Sequence, residues 1–78
     1  MNMTKILYVS SHHSQWRVHW DREPNGQLFY DKTGAIAHAR KMVGQLPHEE
    51  VFQIKVQRDN GTFQAEWTYG RDSFPRAA

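Results

Sequence analysis

The sequence predicts an α+β domain, a single antiparallel sheet in the order β-β-(β)-α-β-β with one helix packed on the sheet's aromatic face. Three observations predict it. Residues 15–21 alternate, with Trp16, Val18 and Trp20 set against Arg17 and His19, the period of a half-buried strand. Residues 52–57 and 62–69 alternate in the same way on either side of Asp59-Asn60-Gly61, a tight-turn sequence that accepts positive φ. Between these blocks Ala35, Ile36, Ala39, Met42, Val43 and Leu46 recur at helical spacing and form one apolar stripe.

Taken in order, residues 5–10 are apolar and β-prone, and Ser11-His12-His13-Ser14 is a polar break before the second strand. The first two strands form a hairpin. Pro24-Asn25-Gly26 is a turn, because proline presets φ and Asn-Gly tolerates positive φ. Residues 27–30 can supply a short third strand. Asp31 is placed to cap the helix by accepting a hydrogen bond from an amide of its first turn. Pro47 disfavours helical geometry at Leu46, so the helix ends there or just before. In the last hairpin Phe52, Ile54 and Val56, then Phe63, Ala65, Trp67 and Tyr69, are expected on the buried face. Arg17, His19, Gln53, Lys55, Gln57, Thr62, Gln64, Glu66 and Thr68 are expected on the polar one. The domain is expected over residues 1–70, with residues 71–78 as an irregular tail.

The chain has 78 residues, the length of one small domain, and buries only about 60% of the surface its unfolded form exposes. It has no cysteine, which excludes disulfides and thiolate metal sites and leaves self-association as the available reinforcement. Ten basic and eight acidic residues give a net charge of +2, with the signs interspersed along the chain. The Ile6-Leu7-Tyr8-Val9 run is too short for a signal or a membrane span, so a cytoplasmic location without membrane contact is expected.

Three stretches resemble a small bacterial family catalogued as domain of unknown function 2188. Trp16-Arg17-Val18 is similar to its Trp-x-Val strand. Asp31-Lys32 followed by Ala35–Arg40 is similar to its Thr-Lys-x-x-Ala helix opening, with Asp as the cap. Thr68-Tyr69-Gly70-Arg71-Asp72-Ser73-Phe74-Pro75 is similar to its Tyr-Gly-Asn-Asp-Pro-x-Pro tail, with Arg71 for Asn and Ser73 for the first Pro. The resemblance implies the fold and a tail motif of Tyr69, Gly70, Asp72, Phe74 and Pro75, and it transfers no catalytic residue.

The chemistry-bearing residues fall short of a reactive set. The five histidines (His12, His13, His19, His38 and His48) lack a ligand spacing, so no cofactor or metal is expected, beyond adventitious nickel or zinc at His12-His13. The carboxylates sit at turns, at the cap or in surface pairs. Ser10, Ser11 and Ser14 near His12-His13 have no orienting acid. No enzyme is expected. The expected function is a non-catalytic binding or assembly module, homodimeric, with itself or another protein as partner. The alternative is a weak, sequence-independent nucleic-acid binder. It would use Arg17, His19, Lys55 and hairpin-tip Arg58 on the polar face, joined by Arg71 and Arg76, to touch phosphates.

Overall fold

In a computed structural model, residues 4–23, 25–46 and 50–69 are described in full, together with the backbone of 70 and 73–77. The chain runs β1 (Thr4–His12), β2 (Gln15–Trp20), β3 (Gln27–Phe29), α1 (Lys32–Gly44), β4 (Val51–Gln57), β5 (Phe63–Gly70) and β6 (Ser73–Ala77). The strands form one sheet in the order β3-β2-β1-β4-β5-β6. The α+β class with one helix on one sheet is as the sequence predicts.

The sheet is mixed, not antiparallel throughout. β1 and β4 run parallel at its centre, from Thr4 beside Val51 to Val9 beside Val56, and the other pairs are antiparallel. The cause is the crossover. A helix between β3 and β4 returns the chain to the end of the sheet where β3 began, so β4 runs in the same direction as β3 and β1. It then pairs with β1, two strands away from β3. Period-two alternation fixes which side chains share a face, but not where a strand is inserted.

Helix α1 begins where the sequence places it. Asp31 has extended geometry (φ −132°, ψ 159°), and its Oδ1 accepts a hydrogen bond of 2.6 Å from the Gly34 amide. Glycine fits at that position because a Cβ on residue 34 would stand 2.9 Å from the same carboxylate oxygen. The helix ends at Gly44, with Gln45 as its C-cap, just ahead of Leu46.

The centre of the core beneath the helix is aliphatic, and the rings of Phe52 and Tyr69 are buried in the same core. Ala35, Ala39 and Val43 are fully buried, one turn apart along α1, and the core beneath them includes Leu7, Val9, Val18, Ile54 and Val56. Small residues on the helix let its backbone approach the sheet closely. The large rings pack around this centre: Trp16, Trp20, Phe29 and Trp67 are partly buried against it. Lys32 lies over the Trp16 ring at 5.3 Å and Arg40 over the Trp67 ring at 4.9 Å. Each covers an indole with a cation and its alkyl stem.

Two segments depart from the expected pattern. Ser11 and His12 belong to β1, so the polar break shrinks to a two-residue turn, His13-Ser14, between paired His12 and Gln15. Both turn residues have positive φ, 48° and 67°. That is the mirror-image turn whose twist matches a hairpin, made here without glycine. Residues 73–77 form β6, paired with β5 at the sheet's edge, where an irregular tail was expected. A proline is compatible with this because an edge strand leaves one row of amides unpaired, and the register shifts between Thr68 and Gly70.

The turn generates a stability prediction. Replacing His13-Ser14 with Asn-Gly should stabilise the protein by about 1 kcal/mol, because those residues accept both positive φ values with less strain. In a domain of this size that raises the thermal midpoint by about 4–8 °C. A melt followed by circular dichroism checks it.

Candidate functional site

Helix α1 covers one face of the sheet and leaves the other open. The register identifies which side chains share the open face. His19 pairs with Tyr8, Tyr8 with Lys55, and Lys55 with Ala65, one row across β2, β1, β4 and β5. One step along, Leu28, Arg17 and Ser10 line up across β3, β2 and β1, and Gln57 faces Phe63 across β4 and β5. On the other side of Lys55, Gln53 faces Thr68.

Phe63 and Ala65 stand on this open face, which corrects their assignment to the core. The cause is a β-bulge. Ile54 pairs with Trp67, yet the next residue, Lys55, pairs with Ala65, so Glu66 is the extra residue on β5. Trp67 and Tyr69 remain on the helix side opposite Ile54 and Phe52. Beyond the bulge the phase of the strand is reversed, and Gln64 rather than Ala65 pairs with core residue Val56. Phe63 is accordingly 41% exposed, whereas Phe52 is 4% exposed.

The bulge completes an aromatic cluster. The Tyr8 ring stacks on His19 at 5.5 Å between centroids and 25° between planes. It meets Phe63 edge-on at 5.1 Å and 77°. Both arrangements lie in the favoured range for ring pairs. His19 Nδ1 is 3.2 Å from the Trp20 carbonyl oxygen. A carbonyl only accepts, so Nδ1 carries the proton in that hydrogen bond, and Nε2 of the neutral ring remains an acceptor.

The surroundings are basic and polar. Lys55 stands beside Tyr8 in register, and Arg17 lies on the same face next to Ser10. One carboxylate borders them: Glu66, the bulge residue between Ala65 and helix-side Trp67, lies on the open face opposite Lys55. Ser10 is 8% exposed, and its Oγ has no hydrogen-bond partner among the described residues. One end of the face is fixed by Gln57, whose Oε1 accepts from the Ser11 amide at 2.8 Å and whose Nε2 donates to the Gly61 carbonyl at 3.3 Å. The adjoining turn is tight. Gly61 adopts φ +87°, and Asn60 Oδ1 accepts from both the amide and the hydroxyl of Thr62.

Of the residues expected to touch phosphate, Arg17, His19 and Lys55 come together on the open face. Arg58 lies at the hairpin tip, exposed, with its backbone closing the turn to Thr62 and Gly61. The tail motif separates. Tyr69 is a core residue, 4% exposed, and Gly70 ends β5. Phe74 and Pro75 lie in β6, and Asp72, like Arg71, falls outside the described residues. Tyr8 stands outward on the open face, as its alternation against Leu7 and Val9 in the sequence allows. Phe63 is the functional candidate that sequence reasoning missed, because nothing in its alternation announces a bulge.

Other features offer less. His12 and His13 touch edge-on at 4.6 Å, and His38 packs on Phe29 at 4.9 Å. No group of three or more metal-ligating side chains gathers among the described residues, and His48 lies outside them. A half-open cleft of about 680 Å³ lies at one sheet end between Lys5, Trp20, Arg22, Leu46 and Phe52, where the Lys5 ammonium pairs with Glu50 at 3.1 Å. No described helix is long and apolar enough to cross a membrane. No known protein family, curated protein or solved structure matches the chain.

The two phenylalanines give a direct check on the faces. Phe52→Ala should cost about 3–5 kcal/mol, as for a buried ring. Phe63→Ala should cost no more than about 1.5 kcal/mol, the scale of a lost aromatic pair. Urea denaturation of the two variants measures both, and equal losses would place Phe63 in the core.

Proposed function

We propose that the protein is a non-catalytic binding module that works through the open face of its sheet and takes nucleic acid as its ligand. The observation that carries this reading is the bulge at Glu66, which brings Phe63 out beside Tyr8 and His19 on a face that also holds Lys55 and Arg17. Such a face offers phosphate-attracting charge beside exposed ring surface. Exposed Arg58 extends the basic side chains to the hairpin tip. Affinity is weak and independent of sequence, because the net charge is only +2 and few cations are engaged.

Self-association is the second reading, and a specific feature favours it. Edge strand β3 carries Leu28, 49% exposed, and is followed by Tyr30, 88% exposed. Apolar side chains at an open sheet edge are a site for a second copy. In this reading the module is a homodimer joined at β3 with the open faces still accessible. The likeness to the uncharacterised bacterial family belongs with these proposals and adds no activity to either.

Salt separates the two. Binding of a labelled oligonucleotide should weaken as salt rises, and Lys55→Glu should reduce the slope of log affinity against log salt by about 1. A dimer joined by apolar contacts should keep its sedimentation coefficient over the same range. Oligonucleotide binding that is indifferent to both salt and Lys55→Glu would sink the nucleic-acid reading.

A further inference from the structure

We infer, resting on the nucleic-acid reading, that the ligand is single-stranded, with unpaired bases stacking on Phe63 and Tyr8 while the strand backbone passes Lys55 and Arg17. Phosphate contacts alone would suit a duplex as well as a single strand. The rings make the difference, because a base presents its flat face to a protein ring only when it has left its own stack.

The geometry of the cluster fits that use. Phe63 is 41% exposed, a high value for a phenylalanine seated within a sheet. Its contact with Tyr8 is edge-on, at 77°, so the two rings do not exhaust each other's stacking surfaces. Tyr8 in turn is held by the His19 ring, which lies nearly parallel to it at 25°. His19 is tied to the backbone carbonyl of Trp20. The rings therefore stand on a sheet and are braced by one another, which lowers the entropy lost when a base settles on them.

The rings gather more closely than the strands that carry them, at 5.5 Å from His19 to Tyr8 and 5.1 Å from Tyr8 to Phe63 between centroids. A compact cluster of this kind offers a stacking surface for one or two neighbouring bases. Lys55 pairs with both Tyr8 and Ala65, so it belongs to the aromatic row and can reach a phosphate of a strand lying across it. Stacking tolerates any base, in keeping with the sequence-independent binding proposed above.

Fluorescence anisotropy with a labelled short mixed-sequence RNA, used alone and annealed to its complement, tests the inference on the full chain. The proteins compared are the wild type, Phe63→Leu, which keeps an apolar side chain but removes the ring, and Lys55→Gln. The inference expects the single strand to bind more tightly than the duplex. Phe63→Leu should weaken the single strand by about 5- to 150-fold while its salt slope stays unchanged. Lys55→Gln should weaken both forms and lower the slope. If duplex and single strand bind alike and only Lys55→Gln matters, the stacking inference falls and the phosphate-binding reading stands. If neither form binds at low salt, both fall. Circular dichroism checks that Phe63→Leu is folded. Should it not be, wild-type ring-proton shifts on adding the single strand decide: movement of Phe63 and Tyr8 supports the inference, and its absence overturns it.

Discussion

The structure depends on the close contact between a helix face of small residues and the aliphatic centre of the sheet. Ala35, Ala39 and Val43 present little bulk, so α1 can settle against a floor that includes Leu7, Val9, Ile54 and Val56, all 0–2% exposed. Those four floor residues come from the parallel pair β1 and β4, which places the most protected strands in the middle of the sheet. With the centre filled by aliphatic groups, the indoles are displaced to the margin. Two of them are covered there by Lys32 and Arg40 from the helix. A single helix can cover only one face of a sheet. The open face is therefore a consequence of the same packing, and its character is set by whatever alternates against the core residues.

For most of the sheet that alternation supplies polar side chains, as in Arg17 and His19 on β2 or Gln53 and Lys55 on β4. β5 departs from it by a change of phase. The extra residue at Glu66 reverses the phase of the strand between Trp67 and Ala65. One strand thereby gives Trp67 and Tyr69 to the core and Phe63 to the open face. Exposure of a phenylalanine loses hydrophobic stabilisation that the opposite phase would have kept. Bulges recur near functional sites because they re-aim a side chain, and here the re-aimed ring meets Tyr8, itself stacked on His19.

Much of this fold is legible in the residues, and the failures have physical causes. Asp31 marks the start of the helix because capping is local. Asn60-Gly61 marks its turn because positive φ is a property of those residues. The parallel pairing of β1 and β4 is not local: it depends on where the helix delivers the chain across two strands. The His13-Ser14 turn carries no glycine, so its strained geometry shows no signature, and Ser11 and His12 read as loop although they pair in the hairpin. The bulge is the least visible feature. Phe63, Ala65, Trp67 and Tyr69 alternate without interruption in the sequence, while the strand they form changes phase between Ala65 and Trp67. At the candidate site, Arg17, His19, Lys55 and the outward Tyr8 are legible from alternation, and Phe63 is not.

The central claim is that Phe63 lies on the opposite side of the sheet from α1, against Tyr8. Proton–proton nuclear Overhauser effects in solution test it most directly. The account predicts cross-peaks between the ring protons of Phe63 and Tyr8, and between the Hα protons or amides of Lys55 and Ala65, with none from Phe63 to Ala39 or Val43. Cross-peaks from Phe63 to those helix residues, with Tyr8 silent, would show an unbulged strand and contradict it.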